Sequence, residues 1–453
     1  MEELPIVLDR GGARRPLAVQ VAEAVRGATA DGMLRPGERL PSTRDLAKRL
    51  GVSRSVTAAA YDQLLAEGWI EGRHGSGTYV TEVPPAPRSR PARRRSPAGT
   101  AAPLLDLGAG SAAASLIDAA AWRRAWRAAA EQPVLRRPER EGLLAMRAAV
   151  AEHLLRHRGL VVGPDAVLAT AGTSAAVSEF ATAALRPGDR VAIEDPGYQR
   201  AAAAFKTAGV EVLPVPVDEQ GLVVDAVPAG VRAVFCTPAH QYPLGARMTA
   251  ERRVALVTRA RAERFWVLED DYDGEFRFDV APLPLLASLA PDAVVHLGTA
   301  SKMLTPALGT GWLVAPPAVV AALAEHRRRT GTQPGPAGQQ VLTALIEHGD
   351  LARHLRRVRR VFAERRTIVV DALQAAGIDV VGDAAGAHVV VPLASAEAER
   401  AAVVRGAAAG LALDGLARHH LGTPERYGLA VGYGGPETGE LLAAVPRLVD
   451  ALR

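Results

Sequence analysis

The apolar positions between residues 16 and 81 recur at the spacing of a helix. In LAVQVAEAVRGATADG they are four residues apart, at Leu17, Val21 and Val25, so a first helix should end near the closing Asp-Gly pair. A second helix is predicted in PSTRDLAKRLG, because Ser42 and Asp45 have the spacing of a capping box.

A third helix is predicted in GVSRSVTAAAYDQLLAEG, where Ser53 caps the start and Val56, Ala60 and Leu64 form one apolar stripe. The tight turn at Gly51 between the second and third helices is typical of a helix-turn-helix. The next stretch, WIEGRHGSGTYV, has glycines between two apolar ends and predicts a β-hairpin. This hairpin is either a DNA-binding wing or a ribbon that closes a small helical core.

From residue 104 onward, β-rich apolar runs alternate with helical stretches rich in Ala and Arg. Strands are predicted in the segments DAVLAT, DRVAIED, VEVLPVPV, AVFCTP, WVLEDD and AVVHLGT. Helices are predicted in SAAVSEFATAAL, YQRAAAAFKTAG and TAERRVALVTRARAE. This alternation favours an α/β fold with a mainly parallel sheet covered by helices on both faces. Ligands of such sheets bind beyond the carboxyl ends of the strands.

Composition predicts a linker between these two halves. Residues 83–103 are rich in Pro, Ala and Ser, lack periodic apolar positions, and carry no acid; their charged residues are Arg88, Arg90, Arg93, Arg94 and Arg95. Such a segment cannot build a core and should be extended. We therefore divide the chain into residues 1–81, a basic linker of residues 82–103, and residues 104–453. We expect the linker arginines to add salt-dependent affinity for nucleic acid.

The overall composition is that of a globular protein with several domains: 453 residues, 48% apolar and 23% charged. No apolar run approaches the ~18 residues of a membrane span, and the acidic start lacks the layout of a signal peptide. We therefore expect a cytoplasmic protein without a membrane partner. Cys236 is the one cysteine, so it has no partner for a disulfide or a metal cluster, and we assign no metal site. The net charge of +5 permits nucleic-acid binding without requiring it.

The helix-turn-helix suggests which side chains contact DNA, because its second helix enters the major groove by its N-terminal end. Contacts are therefore predicted from the start of the third helix, at Ser53, Arg54, Ser55 and Thr57. Arg44 should approach the DNA backbone or a base edge. Three hairpin residues should reach the minor groove or its phosphates: Arg73, His74 and Gly75. The residue types alone do not assign Arg44 and Arg54 to base or phosphate roles.

Three predicted strand ends carry groups that suit a ligand. The first opens a helix with Gly172, Thr173 and Ser174. The free N–H groups of this helix start suit a phosphate, although helix starts with small residues are common. The second, EDPGYQR, presents Tyr198 and Arg200 at the rim. These two side chains would either cover a planar ring and hold a carboxylate, or serve ordinary packing and a surface ion pair. The third, PAHQYPLG, adds Gln241 and Tyr242.

A cluster of acids closes the strand in LEDDYDGEF. Glu269, Asp270 and Asp271 are adjacent, and crowded like charges are unfavourable without a cationic partner. A protonated pyridine nitrogen is one such partner, and Tyr272 could then bond a phenolic oxygen. The alternative is a Mg²⁺ or Ca²⁺ site, since carboxylate oxygens are the ligands that these ions prefer. The spacing does not exclude it.

Lys302, in GTASKMLTPALGTGW, is one of three lysines in a chain that otherwise uses arginine. A lysine amine can lose its proton in a desolvated pocket and attack an aldehyde, whereas arginine stays protonated. The alternative is that Lys302 is a surface lysine without a function, left by biased codon usage. A strand that ends in Gly, followed by Ser301 and Lys302 and preceded by an acid-Tyr strand end, has the layout needed to hold pyridoxal phosphate as a Schiff base.

Two resemblances follow from these motifs. PLAVQVAEAV, DGMLRPGERLPSTRDLAKRLGVSRSVTAAAYDQL and EGWIEGRHGSGTYV resemble the winged helix-turn-helix of the GntR superfamily, over about residues 14–81. LEDDYDGEFRF, TPAHQYPLG and the Lys302 stretch resemble fold-type I aminotransferases. Together they resemble the MocR/GabR subfamily of transcription regulators over nearly the whole chain.

That resemblance implies a domain-swapped homodimer that binds a double-stranded DNA operator and senses an amine or amino-acid effector through pyridoxal phosphate on Lys302. It implies that Asp270 keeps the ring nitrogen protonated and that Tyr272 tunes the ring hydroxyl. Two other readings compete with a ligand-sensing regulator: a regulator whose second domain is only a cofactor-free dimerisation scaffold, and a catalytic aminotransferase.

The chain departs from the family pattern at the phosphate. Where relatives place an arginine seven residues after the lysine, this chain has Gly309. Losing a bidentate contact of this kind would weaken binding by about 1.5–3 kcal/mol. In LRRPEREGLLAMR, Arg137 falls near the place of a tyrosine that in relatives reaches the phosphate across the dimer. We hypothesise that Arg137 supplies the missing charge from the partner subunit.

A further departure concerns the substrate carboxylate. The arginine that aminotransferases use for it should fall within YGLAVGYGG, where the aligned residue is Ala430. Arg426 lies four residues away, and Arg200 remains as a second cation, so we assign effector binding to Arg200, Gln241, Tyr242 and Arg426. Efficient transamination of standard amino acids is not expected.

Overall fold

The structure is a computed structural model that describes residues 6, 8–9, 15–73, 76–82, 104–278 and 284–453. The chain divides into two compact units, Met1–Thr100 and Ala101–Arg453. Residues 83–103, which hold nearly all of the predicted basic linker, lie outside the described residues, so that linker stays a prediction. The described residues contain no helix long and apolar enough to cross a membrane.

The first unit contains the predicted helices and hairpin: α1 (Leu17–Ala30), α2 (Thr43–Leu50), α3 (Arg54–Ala66), β1 (Ile70–Arg73) and β2 (Gly77–Val80). The two strands pair antiparallel, with Ile70 opposite Val80. The core joins α1, α3 and the hairpin through Val21, Val25 and Leu64, together with these two strand residues. This arrangement confirms the helix-turn-helix followed by a hairpin.

The apolar stripe of α3 differs from the predicted one at a single position. Ala60 and Leu64 are fully buried, but Val56 is only partly buried. Thr57 and Tyr61 take the remaining core positions. A helical face recurs every three or four residues, so residues 57, 60, 61 and 64 share one face, and Val56 packs against this core while partly exposed.

The second unit is built around an eight-stranded sheet. Its strands and those of two smaller sheets are β3 (Leu105–Asp106), β4 (Val167–Thr170), β5 (Arg190–Asp195), β6 (Glu211–Asp218), β7 (Gly221–Leu222), β8 (Ala233–Cys236), β9 (Trp266–Asp270), β10 (Val294–Thr299), β11 (Gly311–Val314), β12 (His388–Leu393), β13 (Leu411–Ala412), β14 (Asp414–Gly415) and β15 (Tyr427–Gly432). All six predicted strands are present.

The strand order in the large sheet is β4-β11-β10-β9-β8-β5-β6-β7. The five strands from β10 to β6 are parallel to one another. β11 runs antiparallel between β10 and β4, and β7 runs antiparallel to β6. The mainly parallel sheet is therefore confirmed. A separate three-stranded sheet has the order β12-β15-β14, and β13 pairs with β3.

Helices flank these sheets. They are α4 (Ala119–Ala130), α5 (Leu144–Arg158), α6 (Thr173–Ala184), α7 (Gln199–Thr207), α8 (Ala250–Glu263), α9 (Leu286–Leu289), α10 (Ala300–Met303), α11 (Pro317–Thr330), α12 (Pro336–Glu347), α13 (Asp350–Ala375), α14 (Ala396–Ala408) and α15 (Thr438–Leu452). Adjacent strand residues enter different cores: Ala192 belongs to one cluster and Ile193 to another. Because successive side chains point to opposite faces of a strand, the sheet is covered on both faces.

The two adjacent leucines of α3 provide a stability test for the first unit. Leu64 is fully buried, whereas Leu65 is 42% exposed. Leu64→Ala should lower the free energy of unfolding of this unit by about 2–5 kcal/mol, because it leaves a cavity in the core. Leu65→Ala is the matched control and should change it by less than about 1 kcal/mol. Hydrogen exchange of the α1 and α3 amides in the full chain measures both, and equal losses would contradict the described packing.

Candidate functional site

The helix-turn-helix is held by local polar contacts. Ser42 Oγ accepts the Asp45 N–H at 3.1 Å and so caps α2, as the capping-box spacing predicts. Gly51 ends α2 in the left-handed region, with φ 59°, where glycine has no steric penalty. α3 begins next with Arg54, and Ser53 occupies the N-cap position. The Ser53 hydroxyl does not cap the helix but bonds the Ser55 hydroxyl at 2.8 Å.

Four of the predicted DNA contacts are exposed at these two helix starts: Arg44, Ser53, Arg54 and Ser55. Neither Arg44 nor Arg54 forms an ion pair with any residue that the structure describes. Both guanidinium groups are therefore available to an anionic partner such as a phosphate, or to a base edge.

Thr57 does not belong with this set. Its side chain is fully buried, and its hydroxyl donates to the carbonyl oxygens of Thr43 at 2.8 Å and Arg54 at 3.0 Å. The hydroxyl therefore ties α3 to the start of α2 and cannot reach DNA. We therefore correct the prediction that Thr57 contacts DNA.

The hairpin arginine is already engaged within the first unit. Arg73 pairs with Glu71 at 2.8 Å and with Glu82 at 3.4 Å, and its guanidinium lies 4.7 Å from the centre of the Tyr79 ring. A DNA phosphate would have to replace these exposed carboxylates. His74 and Gly75, the other two predicted hairpin contacts, lie outside the described residues.

The second unit has a cavity of about 280 Å³ beyond the carboxyl ends of its strands. It is lined by residues that follow β4, β5, β8, β9 and β10, together with two from the segment after β3: Ala109, Gly110, Ala171, Gly172, Thr173, Ser174, Tyr198, Arg200, Tyr242, Asp270, Tyr272, Thr299, Ser301, Lys302 and Pro306. Every cofactor residue predicted from the sequence is here except Arg137. Parallel strands bring these distant segments to one edge of the sheet.

The Lys302 amine faces this cavity from α10. Its Nζ lies 3.3 Å from the position that a Cβ on Gly110 would occupy, so Gly110 leaves the space in which the amine sits. Burial lowers the pKa of the Lys302 amine below its usual value, while the nearby Asp273 and Asp270 carboxylates oppose that shift. A lysine of this kind can reach the neutral, nucleophilic form more readily than a surface lysine.

Asp270 ends β9 at the same cavity. Its Oδ1 accepts a hydrogen bond from Thr173 Oγ1 at 3.2 Å. Burial raises the pKa of Asp270 to about 8, and the Asp271 and Asp273 carboxylates add to this effect. A cationic ligand atom placed against Asp270 would favour its ionised form.

The neighbouring acids point to other partners. Asp271 pairs with the buried Arg158, and Asp273 contacts His240 at 2.8 Å. Glu269 accepts the N–H groups of Leu286 and Ala287 at the start of α9. These carboxylates therefore do not converge on one metal ion, and no such group of three occurs in the part of the chain that the structure describes. The arrangement favours the pyridine-type partner for Asp270 over the divalent-cation alternative.

Two tyrosines complete the walls. Tyr198 lies in the cavity with its hydroxyl 2.9 Å from Ser174 Oγ and its ring stacked near Phe235. Tyr272 is buried, and its hydroxyl is 3.2 Å from His240 Nδ1. Burial raises the pKa of the Tyr272 phenol well above its usual value, so it stays protonated and can donate a hydrogen bond.

The start of α6, in the same cavity, suits an anion. α6 starts directly after Gly172, whose φ of 115° disfavours other residues, and no side chain caps this helix. A Cβ on Gly172 would lie 3.7 Å from Ser301 Oγ, so the hydroxyl borders the helix start. Free N–H groups, hydroxyls and the helix dipole together favour a phosphate. A lysine, a buried carboxylate and an anion cradle in one cavity fit pyridoxal phosphate.

Gly309 has a backbone reason to be glycine. It ends a short turn of helix in the left-handed region, with φ 58° and ψ 41°. A Cβ there would meet no atom within 4 Å, so space alone does not exclude a side chain. A non-glycine residue would pay about 1–2 kcal/mol for this conformation.

The predicted effector residues divide into two pairs. Arg200 and Tyr242 line the cavity. Gln241 is fully buried, and its side-chain amide bonds the carbonyl oxygens of Pro196 and Tyr242 and the N–H of Leu244. Its hydrogen-bonding capacity is used in shaping the turn that carries Tyr242, so it is not available to an effector. This prediction is corrected.

Arg426 also lies away from the cavity. Its guanidinium donates to the Val217 carbonyl at 3.0 Å and does not line the cavity wall. Ala430 sits in β15 within an apolar cluster that includes Val390 and Leu416. Neither residue replaces the carboxylate-binding arginine of aminotransferases within this chain.

Arg137 is exposed and lines a different, larger surface cavity with Arg136 and Val134. It does not reach the Lys302 cavity within its own chain. A contribution to the phosphate would therefore have to come from a second copy, as the sequence hypothesis requires.

Sequence reasoning missed several residues of the cavity. Thr299 Oγ1 accepts the Ser301 N–H at 3.1 Å and so orients the residue before Lys302. Gly110 and Ala109 come from a segment far earlier in the chain. The motif Gly-Ala-Gly after β3 was a weak signal, because small residues are common in turns.

Two family matches agree with the two units. Residues 17–80 match the family described as bacterial regulatory proteins, gntR family, and residues 102–417 match aminotransferase class I and II. The fold and site therefore define a DNA-binding regulator joined to an aminotransferase-like domain. The chain belongs to the MocR/GabR subfamily of GntR-type transcription regulators.

Named relatives support this membership. The chain is 38% identical over 378 residues to the HTH-type pyridoxine biosynthesis transcriptional regulator PdxR of Corynebacterium glutamicum, covering 82% of each chain. It is 34% identical over 390 residues to the probable rhizopine catabolism regulatory protein MocR of Rhizobium meliloti, covering 81% of this chain and 78% of the relative. Among solved structures, the α-aminoadipate aminotransferase LysN of Thermus thermophilus, complexed with N-(5'-phosphopyridoxyl)-L-leucine, is 25% identical with a TM-score of 0.70, covering 77% of this chain and 92% of that one.

The buried Asp270 carboxylate makes stability depend on pH. In the folded protein without cofactor it keeps its proton up to about pH 8, whereas in the unfolded chain it loses the proton near pH ~4. Between these values the folded state binds the extra proton, so this residue lowers stability as the pH rises. Asp270→Asn cannot ionise and should gain stability relative to the parent by up to about 1.4 kcal/mol per pH unit over that range.

Urea unfolding of cofactor-free protein at pH 5 and pH 8 measures this difference. Asp165→Asn is the control, because it makes the same substitution at a fully exposed carboxylate of the same unit. A flat difference for Asp270→Asn would show that the carboxylate is not held protonated.

Proposed function

We propose that this regulator holds pyridoxal phosphate on Lys302 and uses it to sense an amine or amino-acid effector. The observation that carries the proposal is the meeting of the Lys302 amine, the buried Asp270 carboxylate and the start of α6 in one cavity of about 280 Å³. Each group suits a different part of the cofactor. The resemblance of the second unit to aminotransferases supports the same assignment.

Bound pyridoxal phosphate supplies an aldehyde for covalent attachment and a ring that withdraws electrons. Lys302 provides the amine for that attachment. Asp270, as an anion, would hold a protonated ring nitrogen, and Tyr272 would donate to the ring hydroxyl oxygen. Tyr198 covers the ring. The phosphate is held by residues at the α6 start and before the lysine: Gly172, Thr173, Ser174 and Ser301.

The first unit supplies the link to transcription. Arg44 and Arg54, with Ser53 and Ser55, contact a double-stranded operator, and Arg73 exchanges its carboxylate partners for DNA phosphates. Two copies act as a homodimer in the cytoplasm. An effector amine would compete with Lys302 for the cofactor, and it would change DNA affinity only if it bound two conformations of the dimer unequally. The linker of residues 82–103 transmits that difference.

The phosphate contact completes this proposal. Gly309 leaves no arginine at the family position, and Arg137 from the second copy supplies the charge instead. An exposed Arg137 that lines no part of its own cofactor cavity agrees with a role in the partner.

A second candidate function is favoured by Ala430. Because this position lies in an apolar cluster, it offers no cation to an α-carboxylate, while the groups that suit the cofactor itself are present. Pyridoxal phosphate is then the signal as well as the ligand. A relative named as a regulator of pyridoxine biosynthesis agrees with this alternative.

Lys302→Ala tests the cofactor assignment. With added pyridoxal phosphate, the parent should gain a visible absorbance band that this variant lacks, because the covalent attachment cannot form. Lys206→Ala is the matched control, since Lys206 is an exposed lysine of the same unit and should keep the band.

Binding to a duplex selected from random sequence by the full-length parent should fall about tenfold or more in Arg54→Ala, which should keep the band.

The same duplex separates the two candidate signals. If pyridoxal phosphate alone changes duplex affinity in the parent and not in Lys302→Ala, the cofactor is the signal. If affinity changes only when an amino acid from a tested panel is added to the loaded protein, the effector is an amine. A parent without the band would overturn both candidates and leave a regulator with a cofactor-free second unit.

Arg137→Ala tests the contact between copies. Its affinity for pyridoxal phosphate should fall tenfold to a hundredfold, equivalent to losing about 1.5–3 kcal/mol. Arg136→Ala is the control, because it removes the neighbouring exposed charge from the same surface cavity. Equal affinities for the parent and Arg137→Ala would sink the hypothesis.

A further inference from the structure

Behind the Tyr272 wall of the cavity lies a buried acid-imidazole pair. Asp273 Oδ2 is 2.8 Å from His240 Nδ1, and the Tyr272 hydroxyl is 3.2 Å from the same nitrogen. The side chains of Asp273 and His240 are 3% and 1% exposed. Tyr272 is therefore the one member of this trio that lines the cavity, and the pair stands directly behind it.

The surrounding backbone is shaped to admit the pair. A Cβ on Gly386 would lie 2.4 Å from His240 Cε1 and 2.6 Å from Asp273 Oδ2. A Cβ on Gly245 would lie 3.2 Å from His240 Nε2. Both glycines have positive φ angles, of 72° and 73°. Any side chain at position 386 would displace the pair, so the imidazole occupies a specific seat in the fold.

Hydrogen-bond chemistry decides where the protons are. Carboxylate oxygens accept hydrogen bonds, so we assign the hydrogen shared with Asp273 Oδ2 to His240 Nδ1. A nitrogen that carries a hydrogen has no lone pair with which to accept the Tyr272 proton. The Tyr272 O–H is consequently not used by His240 and remains free to donate toward the cavity.

We propose that Asp273 and His240 are positioning residues that keep the Tyr272 hydroxyl hydrogen directed at the ligand in the Lys302 cavity. This inference rests on the proposed function, since the acceptor is the ring oxygen of pyridoxal phosphate. Without an acceptor at position 273, His240 can adopt the other tautomer, in which Nδ1 carries a lone pair. Nδ1 then accepts a hydrogen bond from the Tyr272 hydroxyl. The phenol then no longer donates to the ligand.

Other titratable groups face this pair from neighbouring elements. His388 on β12 lies with its ring centre 4.9 Å from that of His240, and its Nε2 donates to the Pro243 carbonyl. Burial, together with His240, lowers the pKa of His388 to about 4, so His388 is neutral near pH 7. The ionisable groups on the cavity side include Asp270, Lys302 and Arg200, and Asp273 itself acts on Lys302.

Two substitutions at Asp273 separate its acceptor from its charge. Asp273→Ala and Asp273→Asn both remove the negative charge, but only asparagine keeps an oxygen that can accept the His240 hydrogen. A hydrogen bond donated to the ring oxygen stabilises its negative form and so lowers the pH at which the visible absorbance of the attached cofactor changes. We expect that midpoint to be about one pH unit higher in Asp273→Ala than in Asp273→Asn, a tenfold change in the ionisation constant.

Repeating both substitutions in a Tyr272→Phe background completes the test. The difference between alanine and asparagine should vanish there, because no hydroxyl remains to be positioned. If Asp273→Ala and Asp273→Asn have equal midpoints while Tyr272 is retained, the inference is overturned and Asp273 has a purely electrostatic role. A difference that persists after the hydroxyl has been removed would assign the effect to packing and overturn it too. Circular dichroism shows whether each variant is folded. If Asp273→Ala does not fold, Asp273→Asn remains as the milder substitution.

The absorbance of the parent distinguishes this inference from the proposed function. A parent that forms no band with pyridoxal phosphate overturns the proposed function, and this inference with it. A parent that forms the band, with Lys302→Ala lacking it, upholds the cofactor assignment whatever the Asp273 variants show.

Discussion

The site depends on how the fold accommodates five carboxylates between residues 269 and 275. Burying like charges together is unfavourable unless each finds a hydrogen-bond donor or a cation. Glu269 takes backbone N–H groups, Asp271 takes Arg158, Asp273 takes His240, and Glu275 takes His153 at 2.9 Å. Asp270 has Thr173 and otherwise faces the cavity. The segment therefore presents a single carboxylate to the cavity, and each of the other four has a partner elsewhere in the fold.

The same cavity joins this carboxylate to an amine and to an anion cradle, and the three groups come from separate elements. Lys302 lies on α10 after β10, and the α6 start follows β4. β11 lies between β4 and β10 and pairs antiparallel with both. The carboxyl ends of β4 and β10 therefore lie at the same edge of the sheet. The geometry thus suits a ligand that carries both a cationic and an anionic group.

The first unit follows a different logic, since its chemistry is exposed. Thr57 and Tyr61 use buried hydroxyls to fix α3 against the start of α2, with Tyr61 donating to the Pro41 carbonyl at 2.9 Å. Arg44 and Arg54 stay at the surface without acidic partners among the described residues. A rigid small core that presents unpaired guanidinium groups is what recognition of a DNA groove requires.

The sequence by itself determined the two units, the helix-turn-helix, the six strands and most of the cavity, because local periodicity and strand-end motifs are properties of neighbouring residues. It could not separate Thr57 from the exposed residues beside it, or show that Gln241 and Arg426 bond backbone carbonyls rather than an effector. The spacing of the 269–271 run also left open where Glu269 and Asp271 point, although the family resemblance assigned Asp270 to the ligand. Only the tertiary structure decided these points, because burial and hydrogen-bond partners depend on segments distant in the chain, such as Arg158 for Asp271.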